Sequence, residues 1–271
     1  MRLVLTIIAL SAIICAGAHA DITADLTDGL VSAWLFNDGS AADSVGGNDG
    51  IIHGATSADG KYGSALSFNG VDNYVEIPDD PSLHLPEGLT VAAWMNVNVG
   101  GNHAAICWKG VKVGWGPNFS WRVCTTSDTN MTWGRCPEGT EGWFATDGVI
   151  PGLGEWVHVA LTSGTDGPPY MRCYVNSEDK TGVSGQDGMN NPPPYQVFEG
   201  IPIEIGVGRA IGGTEGNDTY FDGMIDEVLI YNRPLSAGEI SELMNTDMGT
   251  AITAVEAAGK IASVWGKIKE Q

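Results

Sequence analysis

The sequence predicts an all-β fold, a sandwich or barrel of about a dozen short strands, with a short helix near the C-terminus. Three observations predict it. Apolar and alternating runs of strand length recur along most of the chain. In residues 156–162 (WVHVALT), Val157, Val159 and Leu161 share one face and His158, Ala160 and Thr162 the other. The 38 glycines fall mostly between such runs, where tight turns need them. Helical periodicity is absent until the C-terminal end.

The chain opens outside the fold. Arg2 supplies a positive start, residues 3–15 form an apolar run, and Ala18-His19-Ala20 has the small-x-small form of a cleavage site. Residues 1–20 are therefore expected to be a signal peptide, cleaved near Ala20, with the mature chain beginning at Asp21 and exported to an extracellular or periplasmic space. Lipid attachment at Cys15 would need a small residue before it, and Ile14 stands there. No later stretch approaches membrane-spanning length, so no membrane insertion is expected.

Strands are expected at residues 29–36 (GLVSAWLF), then at 65–68 and 74–77 on either side of the turn Asn69-Gly70-Val71-Asp72-Asn73. Residues 89–97 (LTVAAWMNV), 104–109, 119–124 and 131–135 continue the series, followed by 156–162, 171–176, 201–207 and 224–231. Residues 177–195, with Pro192-Pro193-Pro194, and residues 210–218, rich in glycine, read as surface loops. Ser236 and Glu239 have the spacing of a capping box, which starts a short helix over residues 236–245. Pro234 stops the strand before it. Residues 21–247 are expected to form one domain, and residues 248–271 an amphipathic helix or tail with Ile252, Val255, Ile261, Val264, Trp265 and Ile268 at helical intervals.

The net charge is −20, and loss of Arg2 would make the mature chain more acidic still. That argues against nucleic acid and anionic membranes as partners. Four cysteines lie beyond the leader: Cys107, Cys124, Cys136 and Cys173. In an oxidising compartment they are expected to form two disulfides, with all three pairings open. Zinc is the rival, without a CxxC pair to support it. The chain has no Gly-x-Ser-x-Gly, His-Glu-x-x-His or Walker loop.

The order of short motifs adds a resemblance. It runs from residues 29–39 (GLVSAWLFNDG) through 63–70 (GSALSFNG), 72–75 (DNYV), 89–94 (LTVAAW) and 154–160 (GEWVHVA) to 221–236 (FDGMIDEVLIYNRPLS). Taken together, this order resembles the laminin-G-like jelly-roll domains of the concanavalin-A-like lectin/glucanase superfamily. The resemblance implies a jelly-roll sandwich of two antiparallel sheets whose first and last strands are adjacent. It also implies a non-catalytic binding module for a glycan or glycoprotein, or else a protein–protein adhesion module, here through residues 190–195 and the C-terminal helix. A structural calcium is implied as well. By position it would be held by Asn37, Asp38, Gly70 and Asp226, with Asp72 and Asp222 next in line. Calcium takes about 6–8 oxygen ligands, which carboxylates, amides and backbone carbonyls supply. The glucanases of the superfamily carry Glu-x-Asp-x-x-Glu on one strand; this chain has no such run, and Glu204 stands as the one carboxylate of its strand.

Tryptophans crowd the middle of the chain: Trp108, Trp115, Trp121, Trp133 and Trp143. Aromatic rings stack on the apolar faces of sugars. Trp115, Trp133 and Trp143, with Arg122 and Arg135, are thus expected to line a glycan groove on the concave sheet. The competing expectation is that Trp121 and Trp133 fill the space between the sheets, as Trp34, Trp94 and Trp156 are expected to do.

Overall fold

The structure is a computed structural model and describes residues 26–100, 103–110, 119–137, 142–182, 190–208 and 218–269. The expected signal peptide at 1–20 and Trp115 lie outside the described residues.

The described chain is a sandwich of two antiparallel sheets followed by two helices. One sheet contains β3 (Thr56–Asp59), β4 (Ser64–Asn69), β6 (Leu89–Val99), β11 (Trp156–Ser163), β12 (Met171–Val175), β13 (Glu178–Asp179) and β17 (Asp222–Tyr231). Its order is β13-β12-β11-β6-β17-β4-β3, and β1 (Leu30–Trp34) adds to β17 as the eighth strand. The other sheet has seven strands: β2 (Ile51–His53), β5 (Tyr74–Ile77), β7 (Ala104–Gly110), β8 (Phe119–Thr125), β9 (Met131–Gly134), β10 (Trp143–Thr146) and β14 (Ile203–Ile205). Its order is β10-β9-β8-β7-β14-β5-β2. A small ribbon, β15 (Val207–Gly208) with β16 (Thr219–Tyr220), stands apart.

Alternation explains how each strand serves two layers. On β6, Val91, Ala93, Met95 and Val97 point into the core between the sheets, while Ala92 points to the opposite face. On β11, Val157, Val159 and Leu161 enter the same core, as the sequence pattern predicts, and Ala160 lies outside it. The outward row of the eight-stranded sheet (Ala33, Ala92, Ala160, Leu229 and Tyr231) is still apolar. It is covered by helix α1 (Ala237–Leu243) through Ile240 and Leu243, and by the first turn of helix α2 (Met248–Lys269) through Met248 and Ala251. The capping box forms as expected: Ser236 Oγ accepts from the Glu239 amide, and Glu239 Oε2 accepts from the Ser236 amide. Such a cap contributes about 0.5–2 kcal/mol to a short helix.

The first and last strands are adjacent. Leu30 pairs with Tyr231, and Ser32, Ala33 and Trp34 pair with Ile230, Leu229 and Val228. Along the same edge of β17, residues 222–225 pair instead with β4. The exchange of partners falls at Asp226 and Glu227, where the register on β6 also slips and Glu227 takes a left-handed φ of 45°. That conformation is costly for a side chain with a Cβ. Here the Glu227 carboxylate is buried and accepts the Met248 amide at 2.9 Å, which ties the start of α2 to the bulge.

The tryptophans divide in a way that alternation alone does not settle. Trp34, Trp121 and Trp133 lie between the sheets. Trp94, expected there, faces the other way, outward on the eight-stranded sheet. Its ring meets His158 edge to face, and Lys61 Nζ lies 4.2 Å from its centroid. Trp156, also expected in the core, is half-buried at the start of β11. The reason is register. Small Ala93 and large Trp94 are neighbours on one strand, and the pleat lets only one of them face inward.

Candidate functional site

The outward face of the seven-stranded sheet assembles a row that runs through every strand. Trp143 of β10 pairs with Gly134 of β9, Gly134 with Arg122 of β8, and Arg122 with Trp108 of β7. Trp108 pairs in turn with Glu204 of β14, Glu204 with Glu76 of β5, and Glu76 with Ile51 of β2. Residues directly opposite on antiparallel strands project from the same face. Two aromatic rings, a guanidinium and two carboxylates therefore stand in one line.

The row is internally bonded. Trp108 Nε1 donates to Glu204 Oε2 at 3.1 Å, and both side chains are buried. The Arg122 guanidinium lies 5.5 Å from the centre of the Trp143 ring, within cation–π range. Trp143 is half-buried at one end, and Glu76 is half-buried toward the other. Gly134, between Trp143 and Arg122, has no side chain to separate them. Beside this row on the same face, Trp108 packs with Ala105, Cys124 and Cys136.

Of the residues expected to line a glycan groove, the structure brings Arg122 and Trp143 together on this face. Trp133 and Arg135 belong elsewhere. Trp133 points into the space between the sheets, is fully buried, and donates from Nε1 to Thr146 Oγ1 at 2.9 Å. Its neighbour in register on β8 is Val123, an inward residue, so the pleat sends the indole inward too. Arg135 is fully buried; it donates to Ser163 Oγ at 2.8 Å and to the Leu85 carbonyl, and stacks on Tyr195. Trp108 and Glu204, not expected as site residues from their sequence context, hold the centre of the row. Their partnership depends on the β7–β14 register, which no local pattern encodes.

The four cysteines are free, buried thiols rather than the expected disulfides. They lie in different layers. Cys107 and Cys173 belong to the core between the sheets, on strands of opposite sheets, whereas Cys124 and Cys136 lie on the outer face of the seven-stranded sheet. Burial pushes the Cys107 and Cys124 thiols up to about 12 and also raises that of Cys173.

The residues expected to hold calcium do not converge as a set. Asn37 and Asp226 do meet at one feature, the β3–β4 turn: Asn37 Oδ1 accepts from the Ser64 amide, and Asp226 Oδ2 accepts from the Lys61 and Tyr62 amides at 2.8 and 3.1 Å. Asp226 Oδ1 takes the Glu227 amide at 2.8 Å. The buried Asp226 carboxylate is thus surrounded by N–H donors, and Lys61 rides on the same turn. Burial is the main influence on Asp226 and raises its pKa to about 6 against those bonds. Asp38 is exposed and bonds Ser40 within its own loop. Gly70 neighbours Asp222, which lies four strand residues from Asp226, about 13 Å at the usual rise per residue. A hard cation needs about 6–8 oxygens turned toward it, and these residues do not fit one. Among the described residues, no group of three or more His, Cys, Asp or Glu side chains is arranged to hold a metal.

With this geometry in view, comparison with known proteins places the chain. A family model, Laminin_G_3 of the concanavalin A-like lectin/glucanases superfamily, matches residues 69–241. The chain belongs to this family. Solved structures share the fold of this laminin G-like chain. Domain 4 of AbnA, a GH43 extracellular arabinanase from Geobacillus stearothermophilus, in complex with arabinotriose, matches with 22% identity and a TM-score of 0.54, over 79% of this chain and 98% of that domain. The binding domain of Paraclostridial Mosquitocidal Protein 1 matches with 16% identity and a TM-score of 0.56, over 81% of this chain and 52% of its own. The binding domain of botulinum neurotoxin DC, in complex with SialylT, matches with 13% identity and a TM-score of 0.57, again over 81% and 52%. The laminin G-like chain spans about half the length of these toxin domains. No curated protein matches the chain in sequence.

Proposed function

We propose that this chain is a secreted, non-catalytic binding module that recognises a carbohydrate or glycoconjugate on the outward face of its seven-stranded sheet. The observation that carries the reading is the row Trp143–Arg122–Trp108–Glu204, set by consecutive strand registers. A sugar ring presents an apolar face rimmed by hydroxyls. Half-buried Trp143 supplies the complementary plane, buried Arg122 sits 5.5 Å from its ring centre and steadies it, and half-buried Glu76 farther along the row supplies an acceptor. The Trp108–Glu204 bond holds that machinery in place before a ligand arrives. The AbnA domain was solved with arabinotriose and the neurotoxin DC domain with SialylT, which makes glycans the first ligands to try. Export follows from the leader-like residues 1–20, and a mature protein starting at Asp21 by mass spectrometry would support it.

The test is a glycan array that includes arabino-oligosaccharides and sialylated glycans, run with the natural protein, Trp143→Ala and Arg122→Ala. Loss of one stacking contact should weaken binding about tenfold. An array without a ligand, or binding untouched in Trp143→Ala, would remove the reading.

One observation favours a second reading, a glycoside hydrolase. Glu204 and Glu76 are direct partners in register on one face, and retaining hydrolysis uses two carboxyls about 5–5.5 Å apart. Against it, Glu204 is buried and already accepts from Trp108. Release of reducing ends from a bound glycan, abolished in both Glu204→Gln and Glu76→Gln, would replace binding with catalysis.

A further inference from the structure

We infer that a second saccharide site lies across the sandwich from the row above, in the groove between the β11–β12 hairpin and the segment 234–239, and that it takes a short neutral oligosaccharide. The groove has a volume of about 530 Å³. That lies within the roughly 300–1,000 Å³ of small-ligand clefts. It is built from the eight-stranded sheet, so it shares no residue with the Trp143 face.

Its surfaces match the two halves of a sugar. Tyr170 and Tyr174 both line it, Tyr170 half-buried and Tyr174 buried in the helix-covered cluster. Pro169 and Pro234 supply the rest of an apolar, shape-holding wall. The polar half is a singly bonded ion pair: Arg172 Nη1 donates to Asp179 Oδ2 at 3.2 Å, and the two side chains remain 45% and 40% exposed. An arginine has five donors and a carboxylate about four acceptor sites, so one bond between them leaves both able to meet adjacent hydroxyls. Asp166 adds an exposed acceptor from the hairpin.

The charge pattern selects among ligands. Of the three carboxylates in the groove, Asp179 is paired with Arg172, and Glu239 with Arg233 at 2.6 Å. They offer lone pairs more than uncompensated charge, which gives a basic peptide little to neutralise. The one positive group lining the groove, Arg172, is likewise taken up, and Asp166 faces any anion, which disfavours sialylated or sulfated glycans. A neutral chain of hydroxyls remains as the fitting ligand.

The experiment is a backbone-amide NMR titration of the isotopically labelled chain with individual linear neutral tetrasaccharides of glucose, xylose, mannose and arabinose. Sialyllactose and a lysine oligopeptide are added as controls, all at about millimolar concentration to reach weak affinities. The natural chain, Tyr170→Ala and Trp143→Ala are compared, with melting temperatures measured for each. At least one neutral tetrasaccharide is expected to shift the amides of residues 164–172 in the natural chain and in Trp143→Ala. In Tyr170→Ala its binding there should weaken about tenfold while the melting temperature holds. Shifts confined to the seven-stranded sheet, no saturable shift at all, or a response at 164–172 only to sialyllactose or the peptide would overturn the inference. Failure of the Trp143 face appears separately, as an unchanged titration of the seven-stranded sheet in Trp143→Ala.

Discussion

Replacing Trp133 with alanine measures which way this indole faces. In the structure it is fully buried between the sheets, with Nε1 bonded to Thr146 Oγ1 at 2.9 Å. A buried tryptophan removes roughly 150–250 Å² from water, worth about 4–6 kcal/mol at ~25 cal/mol/Å². Measured losses for Trp→Ala in cores are about 3–5 kcal/mol. The Thr146 hydroxyl, itself buried, loses a partner worth about 1 kcal/mol. A total near 4–5 kcal/mol is a large part of the roughly 5–15 kcal/mol of a typical domain, so the variant stays folded but marginal. With a urea dependence of about 2–3 kcal/mol/M, the unfolding midpoint should fall by roughly 1.5–2.5 M. Urea titration followed by far-UV circular dichroism reads this directly, beside Trp143→Ala, whose half-buried ring should cost less. If Trp133→Ala moved the midpoint by less than about 0.5 M, or abolished glycan binding while leaving stability intact, the indole would face a ligand and the β8–β9 register would be wrong.

Three further outcomes follow from the same structure. Asp79 is desolvated, yet hydrogen bonds from Lys109, the Gly200 amide and His84 outweigh that and hold its carboxyl below the ordinary 3.8. A depressed acid stabilises the fold above its unfolded pKa, and that stability is lost as pH falls through the folded value. Asp79→Asn should therefore cost about 3–5 kcal/mol near neutral pH, because Lys109 is left buried without its carboxylate, and the gap to the natural chain should close on acidification. The four thiols should ignore a thiol reagent in the native state and react, all four, in denaturant without reductant; fewer than four would reveal a disulfide. Calcium at about 5 mM, above the ~0.1–1 mM dissociation constants of extracellular modules, should leave the melting temperature as it is in chelator; a clear rise would mean that the Asp226 region rearranges around an ion.

Much of the fold was legible in the sequence because period-two patterning is a local property. The strands at residues 89–97, 156–162 and 224–231 appear nearly as read, and so does the capping box at Ser236. β2, β3 and β10 were not legible: they are three or four residues long, half-exposed or polar, and exist because a neighbouring strand pairs with them. The candidate site was half legible. The tryptophan cluster pointed to the right stretch of chain, but Trp133 and Trp143 proved to lie on opposite faces of adjoining strands.

By itself the sequence determined the class of fold, its turns and strands, the adjacency of first and last strands through a family pattern, and a strongly acidic net charge. Fold class, turns and strands follow from residue type and spacing, which a linear chain carries; the adjacency of the end strands came only from the resemblance. The tertiary structure alone decided that Trp108, Arg122, Trp143 and Glu204 share a row, that Asp226 answers to backbone amides, and that the four cysteines are buried free thiols. Those outcomes depend on register between strands far apart in sequence. A shift of a single residue would turn every one of these side chains to the other face.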